Sequence, residues 1–343
     1  MALWMVRTGK WGEYEKKFLS DKKIYLTWDK LQYDLSTLKD KSKLLELIQK
    51  YFPDIKQKTS INWMSQIWPF VKKMKKGDWV AVPSKANPVI HIAEIVGDYK
   101  YNPKADDPFY HTRDIKWIET NIPRSNFGQD LLYSIGAYMT VCQIKRNDAE
   151  TRVRNMAKNG WKDVTIGKPV VGAEDEDEES ITSDLEEIAN DQIAKELIKK
   201  YKGHGMAKLV EAILKAQGFQ THLSPEGVDH GVDIFAAPGS LGFGHPRICV
   251  QVKSQESPIE RTVVDQLIGN MQTYNADQGL LVSWGGFKNS MDKEIPKQFF
   301  RVRLWNQKTL IEQLLSVYDK LDDEIKAELP FKRIWTMTTQ EEE

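Results

Sequence analysis

Gln251 and Lys253 lie two residues apart in Ile248-Cys-Val-Gln-Val-Lys-Ser254, a run in which apolar and other side chains alternate. Successive side chains of a strand point to opposite faces, so Ile248, Val250 and Val252 share one face and Cys249, Gln251 and Lys253 the other. In the preceding run, Gly231 to Ala236, the same alternation sets Val232 and Ile234 on one side and Asp233 with Phe235 on the opposite side. Pairing of these strands brings together a carboxylate, an amide oxygen and an ammonium. Such a set suits phosphodiester hydrolysis. Oxygen ligands and water are what Mg²⁺ prefers, and the metal polarises the phosphate and acidifies a water. A lysine stabilises the charge that builds on the phosphate. The plainer alternative is three polar residues on an exposed sheet face.

Several elements must position these residues. Leu209, Val210, Ile213 and Leu214 form a helical stripe that ends near Gln217-Gly218. A Pro/Gly-rich loop, Pro238 to Pro246, separates the two strands. Ile259 to Tyr274 reads as a helix, Gly279 to Trp284 as a buried strand, and Arg301 to Trp305 as another strand. The expected order is helix, strand, strand, helix, strand, helix, strand, helix, which fits a sheet flanked by helices.

In these runs, Asp229-His-Gly-Val-Asp233 and Val250-Gln-Val-Lys253 resemble the D-G-G-I/V-D and V-Q-x-K motifs of the Mrr-like restriction endonucleases, a branch of the PD-(D/E)XK nuclease superfamily. The resemblance runs from Gly203-His-Gly205 through Gly279 to Phe287 and Arg303-Leu-Trp305. It implies an α/β nuclease fold with a central mixed sheet, Asp233 as metal ligand, Gln251 in place of the usual acidic ligand, and Lys253 as the catalytic lysine. The cofactor implied is Mg²⁺, with Mn²⁺ as substitute. Ala207 stands where many relatives carry an acidic residue on the first helix. Glu211, one turn later on the same face, is the expected replacement, with an ordinary exposed glutamate as the alternative. Gln266 resembles a position near the active face, whereas Asp229 and His230 are also common turn formers.

The chain has 343 residues, enough for two cores. Its 49 basic and 49 acidic residues cancel, but nine of the acids fall between Glu174 and Glu187. Elsewhere 49 basic residues face 40 acidic ones, a surplus compatible with phosphate contacts. The acidic run reads as a linker, or alternatively as a decoy that competes with DNA for a basic surface. The expected division is a recognition domain over 1–168, the linker over 169–194 and a nuclease domain over 195–343. Two cysteines, Cys142 and Cys249, build neither a disulfide framework nor a cysteine-rich zinc site. No signal peptide or membrane span is read, so the expected setting is the cytoplasm.

N-terminal to the linker, Ile24 to Trp28 alternates as a strand, and Gly77 to Pro83 followed by Val89 to Gly97 reads as a hairpin. Leu44 to Tyr51 and Asn62 to Met74 look helical, giving a small strand-rich mixed domain. Gly77 to Pro83 with Ala93 to Tyr99 also resembles segments of restriction-protein N-terminal domains and, more loosely, PUA-like folds of the EVE and YTH kind. Such domains hold a modified base in an aromatic pocket. Trp28, Tyr99, Trp79 and Arg7 are the candidates, although core packing explains an aromatic equally well. Together these features lead us to expect a modification-dependent enzyme acting on double-stranded DNA, as a homodimer or larger homo-oligomer. The competing readings are a DNA-binding protein with a vestigial nuclease fold and a repair or junction nuclease.

Overall fold

The computed structural model describes residues 1–136, 139–163, 185–227, 231–288, 291 and 296–334. Two units divide the chain, one within Met1–Ile188 and the other within Ala189–Thr336. Among the described residues, no helix is long and apolar enough to cross a membrane.

In the first unit, β1 (Leu3–Val6), β2 (Lys23–Leu26), β3 (Trp79–Pro83), β4 (Val89–Tyr101), β5 (His111–Pro123) and β6 (Val141–Gln143) form a sheet ordered β2-β5-β4-β3-β1-β6. Only β1 and β3 run parallel among its paired neighbours. The expected hairpin is β3–β4. Its turn is set by Ser84, whose hydroxyl accepts the amides of Ala86 and Asn87 at 3.2 and 3.1 Å. Register shifts interrupt β4–β5 between Ile90 and Ala93 and between Ile95 and Tyr99. Period-two alternation gives the sheet an apolar layer on each face. Trp4, Val6, Ile24, Val80 and Ile95 pack on one side with α1 (Glu15–Asp21), α2 (Lys41–Tyr51) and α3 (Gln57–Trp68). Leu3, Met5, Ala81 and Ile92 pack on the other with α4 (Gln129–Ile135) and α5 (Ala149–Lys158). The sheet ends at β2 and β6, so its strand order is that of an open sheet.

The expected linker, 169–194, overlaps α6 (Leu185–Lys200), and residues 164–184 lie outside the described residues. Helix α6 is amphipathic only in its later turns, where Ala194 and Leu197 join the second unit's core.

The second unit holds α7 (His204–Ala216), β7 (Gln220–Leu223), β8 (Ile234–Ala237), β9 (Ile248–Lys253), α8 (Arg261–Thr273), β10 (Gln278–Ser283), β11 (Val302–Asn306), α9 (Gln307–Val317) and α10 (Asp323–Glu328). The sheet order is β11-β10-β9-β8-β7, with β9, β10 and β11 parallel and β7 and β8 antiparallel to their neighbours. Leu209, Val210, Ile213 and Leu214 of α7 pack with Leu310 and Leu314 of α9 on the face carrying Ile234, Val250 and Val282. Val264, Leu267 and Met271 of α8 cover the other face, against Cys249 and Leu281. The mixed sheet flanked by helices is as read from the sequence. One strand, β7, is additional: Gln220–Leu223 is too short and too polar to give an alternation signal. No α-helix falls between β10 and β11 among the described residues, where one was expected.

Candidate active site

Strands β8 and β9 pair antiparallel, with Ile234 opposite Val250, Phe235 opposite Cys249 and Ala236 opposite Ile248. One step back in that register brings Asp233 level with Gln251. The main chain holds it there. The Asp233 amide donates to the Val250 carbonyl at 2.8 Å, and its carbonyl accepts from Ser224 at 2.8 Å. Its side-chain Oδ2 accepts the Val252 amide at 2.7 Å, which pins the carboxylate to β9. Gln251 is only 3% exposed. Its Oε1 is buried and accepts no hydrogen bond among the described residues. Leaving such an acceptor unmade costs about 1–3 kcal/mol, so with respect to the described residues this amide oxygen is available to a ligand. Lys253, half-buried, follows two residues later on the same face. No hydrogen bond or ion pair is formed by its ammonium among the described residues.

Helix α8 supports the approach to Asp233 in a way that the sequence did not announce. Asn270 Nδ2 donates to the Gly231 carbonyl at 3.0 Å. Gly231 has φ 71°, and a Cβ there would meet Asn270 Nδ2 at 2.6 Å, so only glycine allows this close seat. The available signal was a polar residue flanking the apolar stripe of Val264, Leu267 and Met271. At the other end of β9, the Ser254 hydroxyl accepts the Gly203 amide at 3.1 Å, tying the strand to the start of α7.

The first-helix acid is placed differently from the expectation. Glu211 accepts from the Thr221 hydroxyl at 2.8 Å and pairs with Lys215 at 3.1 Å. It belongs to α7, which packs on the Val250 face, whereas Gln251 and Cys249 line the α8 face. Helical spacing gave the correct face relative to Ala207 but not the pull of β7, which captures the carboxylate. Ala207 itself is buried in the core. Gln266 is exposed on α8. Asp229 and His230 lie outside the described residues. Burial pushes the Cys249 thiol up to about 11, which keeps it protonated and inert as a nucleophile near neutral pH.

The donor set fits a hard divalent cation. No cluster of three or more His, Cys, Asp or Glu able to hold a metal occurs among the described residues. What is present is one anchored carboxylate and one unused amide oxygen. Mg²⁺ accepts such a partial set because it keeps several waters and shares the oxygens of a phosphate.

The four nominated residues of the first unit do not meet in one pocket. Trp28 is buried and packs edge-on against Trp63, with ring centroids 6.2 Å apart. Trp79 lies on the opposite face of the sheet, under the Arg154 guanidinium at 4.4 Å. Tyr99 is half-buried. Its hydroxyl donates to His111 Nδ1 at 2.7 Å, and its ring helps to line an open cleft of about 530 Å³ with Val71, Lys72, Lys75, Asp98 and Arg113. Arg7 pairs with Glu187.

Comparison with known proteins follows this division. Residues 198–314 match the family described as restriction endonuclease, Mrr_cat. Residues 4–134 match a domain of unknown function, DUF8426. No curated protein matches the chain. Among solved structures, the DNA modification-dependent restriction endonuclease AspBHI is similar at 12% identity and TM-score 0.34, over 74% of this chain and 67% of that one. The MspJI restriction endonuclease in complex with a 27-mer oligonucleotide is similar at 16% identity and TM-score 0.32, over 74% of this chain and 64% of that one. Asp233, Gln251 and Lys253 all fall inside the matched segment, so the second unit contains a restriction endonuclease domain of the Mrr family.

Proposed function

We propose that this chain is a type IV-like, modification-dependent restriction endonuclease, which hydrolyses double-stranded DNA with a divalent metal through Asp233, Gln251 and Lys253. The buried, unused Oε1 of Gln251 beside the anchored carboxylate of Asp233 carries this reading. Asp233 and Gln251 would hold Mg²⁺, or Mn²⁺ in its place, and the ion would supply Lewis-acid polarisation of the scissile phosphodiester. Lys253 places a positive charge on the same face, where it offsets the charge that develops on the phosphate. The β9 main chain keeps Asp233 fixed through the Val252 amide, so little reorganisation is needed when substrate arrives.

The first unit has its own sheet and two apolar layers. It takes the role of reader in this proposal, as a PUA-like domain in the wider sense. The cleft beside Tyr99 is of a size that admits a base, and its mix of lysines, Arg113 and one aromatic wall suits a nucleotide. Cutting both strands needs two catalytic centres, hence a homodimer or larger homo-oligomer acting on DNA in the cytoplasm. Incubation of the chain with Mg²⁺ and plasmids carrying different cytosine or adenine modifications tests the proposal. The expected result is cutting of one modified class only, abolished by EDTA and restored by Mg²⁺ or Mn²⁺. Equal cutting of all plasmids removes the modification dependence, and cutting in EDTA removes the metal.

A further inference from the structure

Three basic side chains of the first unit converge on one buried carboxylate. Arg124 Nη1 lies 2.8 Å from Glu187 Oε1, and Arg7 Nη2 and Lys85 Nζ each lie 3.3 Å from Oε2. All four residues belong to the same unit. The side chains of Arg124, Arg7 and Glu187 are 8%, 11% and 14% exposed. Burial raises the Glu187 pKa, but the charges of Arg124, Arg7 and Lys85 outweigh it and hold the carboxyl at about 2, so it is ionised.

The cations come from three separate segments that the main chain holds in place. Arg7 follows β1 and donates its amide to Thr140 at 2.8 Å. Lys85 sits on the β3–β4 turn, which Ser84 fixes by its local bonds and by donating to Glu15 at 2.7 Å. Arg124 follows β5, its amide bonded to Pro88 at 2.9 Å on that same turn. The anion, by contrast, comes from outside the sheet. Glu187 stands in the first turn of α6 and is the last residue of the acidic run that begins at Glu174. Beside the cluster the surface is unusual. Gly12, with φ 78°, lies against Lys85, where a Cβ would meet the lysine Cβ at 2.9 Å, and the preceding Trp11 is 77% exposed.

From this arrangement we infer that Arg7, Lys85 and Arg124 form a binding site for a backbone phosphate of duplex DNA, which Glu187 fills when DNA is absent. Two carboxylate oxygens, one facing Arg124 and the other facing Arg7 and Lys85, stand in for the two unbridged oxygens of a phosphodiester. Both groups carry one negative charge, so exchange leaves the net charge of the cluster unchanged and keeps a counter-ion on the cations. A preformed cationic site binds phosphate without the cost of ordering long side chains. Trp11 is placed to stack on an exposed nucleotide next to it. The inference rests on the reading that the first unit binds DNA.

Affinity of the full chain for a labelled unmodified duplex and for its 5-methylcytosine counterpart, measured in EDTA across a salt series, tests the exchange. Glu187→Gln is expected to tighten binding of both duplexes about 5- to 20-fold, because the competitor loses its charge. Arg124→Gln is expected to weaken both about 5- to 10-fold and to lower the slope of log affinity against log salt by about 0.9, the value of one phosphate. In the double variant the gain from E187Q should vanish. Unchanged or weaker binding by E187Q at an unchanged melting temperature overturns the inference and makes the cluster a structural ion pair. Should E187Q melt earlier, inorganic phosphate at tens of millimolar decides: recovery of the melting temperature supports the site, and no recovery overturns it. Preference between the two duplexes is read separately. Its absence, with tighter binding by E187Q retained, removes 5-methylcytosine as the base that the reader recognises and leaves the phosphate site standing.

Discussion

Asp233 Oδ2 accepts the Val252 amide at 2.7 Å, so the carboxylate is fastened to the strand that carries Gln251 and Lys253. Among the described residues, no donor hydrogen-bonds its other oxygen.

Asp233→Asn keeps an acceptor for the Val252 amide and should fold normally, with a melting temperature within a few degrees of the parent. It should lose both Mn²⁺ binding and cutting. Lys253→Ala should lose cutting while still binding Mn²⁺, because the ammonium is assigned to the phosphate. Each loss of cutting is expected to reach at least about a thousandfold, or about 4 kcal/mol of barrier. Titration of Mn²⁺ by calorimetry alongside the cleavage rate separates the two roles, and parallel loss of metal by K253A contradicts the assignment.

Gln251→Glu supplies a second buried carboxylate next to Asp233. Without metal the two like charges should repel and lower the melting temperature. With Mg²⁺ the melting temperature should rise more than in the parent, since a charged ligand gains more from the cation. Melts in EDTA and in Mg²⁺ check this, and equal rises in both proteins argue that residue 251 does not touch the ion.

Glu211→Gln should leave cutting almost unchanged. Thr221 still finds an acceptor, and the pair with half-exposed Lys215 is worth about 0.3–0.5 kcal/mol. A large loss of rate at saturating Mg²⁺ would return Glu211 to the centre.

His111 is buried, with Nε2–H donating to the Leu31 carbonyl at 2.7 Å and Nδ1 accepting from Tyr99. Burial holds its pKa down from 6.5 to about 4. The unfolded chain therefore takes up this proton first as pH falls. The stabilisation is complete above about pH 6.5 and is lost as pH drops towards 4, roughly 3 kcal/mol across the window. Thermal melts of the parent should fall more steeply between pH 6.5 and 4.5 than those of His111→Gln. Parallel slopes would show that His111 does not contribute.

Strand β9 was legible in the sequence because its alternation is regular and because two polar residues fall in phase where apolar ones would pack. The same alternation took Asp233 as a strand residue and set Val232 beside Ile234, whereas β8 begins at Ile234 and Val232 packs with Cys249 on the α8 face, because regular alternation does not extend past the start of the strand. The partners of Glu211 were not legible because one-turn spacing on a helix says nothing about the neighbouring strand, and β7, which carries Thr221, gave no signal of its own. Asn270 was missed for a similar reason: its partner is a main-chain carbonyl, which has no sequence signature. In the first unit, Trp28 and Trp79 looked alike as sequence, and only the parity of the strands separates one face from the other. The acidic run read as a linker, yet its last residue, Glu187, is only 14% exposed and is held by three basic side chains.

The most direct test of the central claim is single-turnover cleavage, with Mg²⁺, of two duplexes identical except for a modified base, by the parent and by D233N. The parent should cut only the modified duplex, and D233N should bind it without cutting. Cutting of the modified duplex by D233N at the parent's rate would contradict that claim.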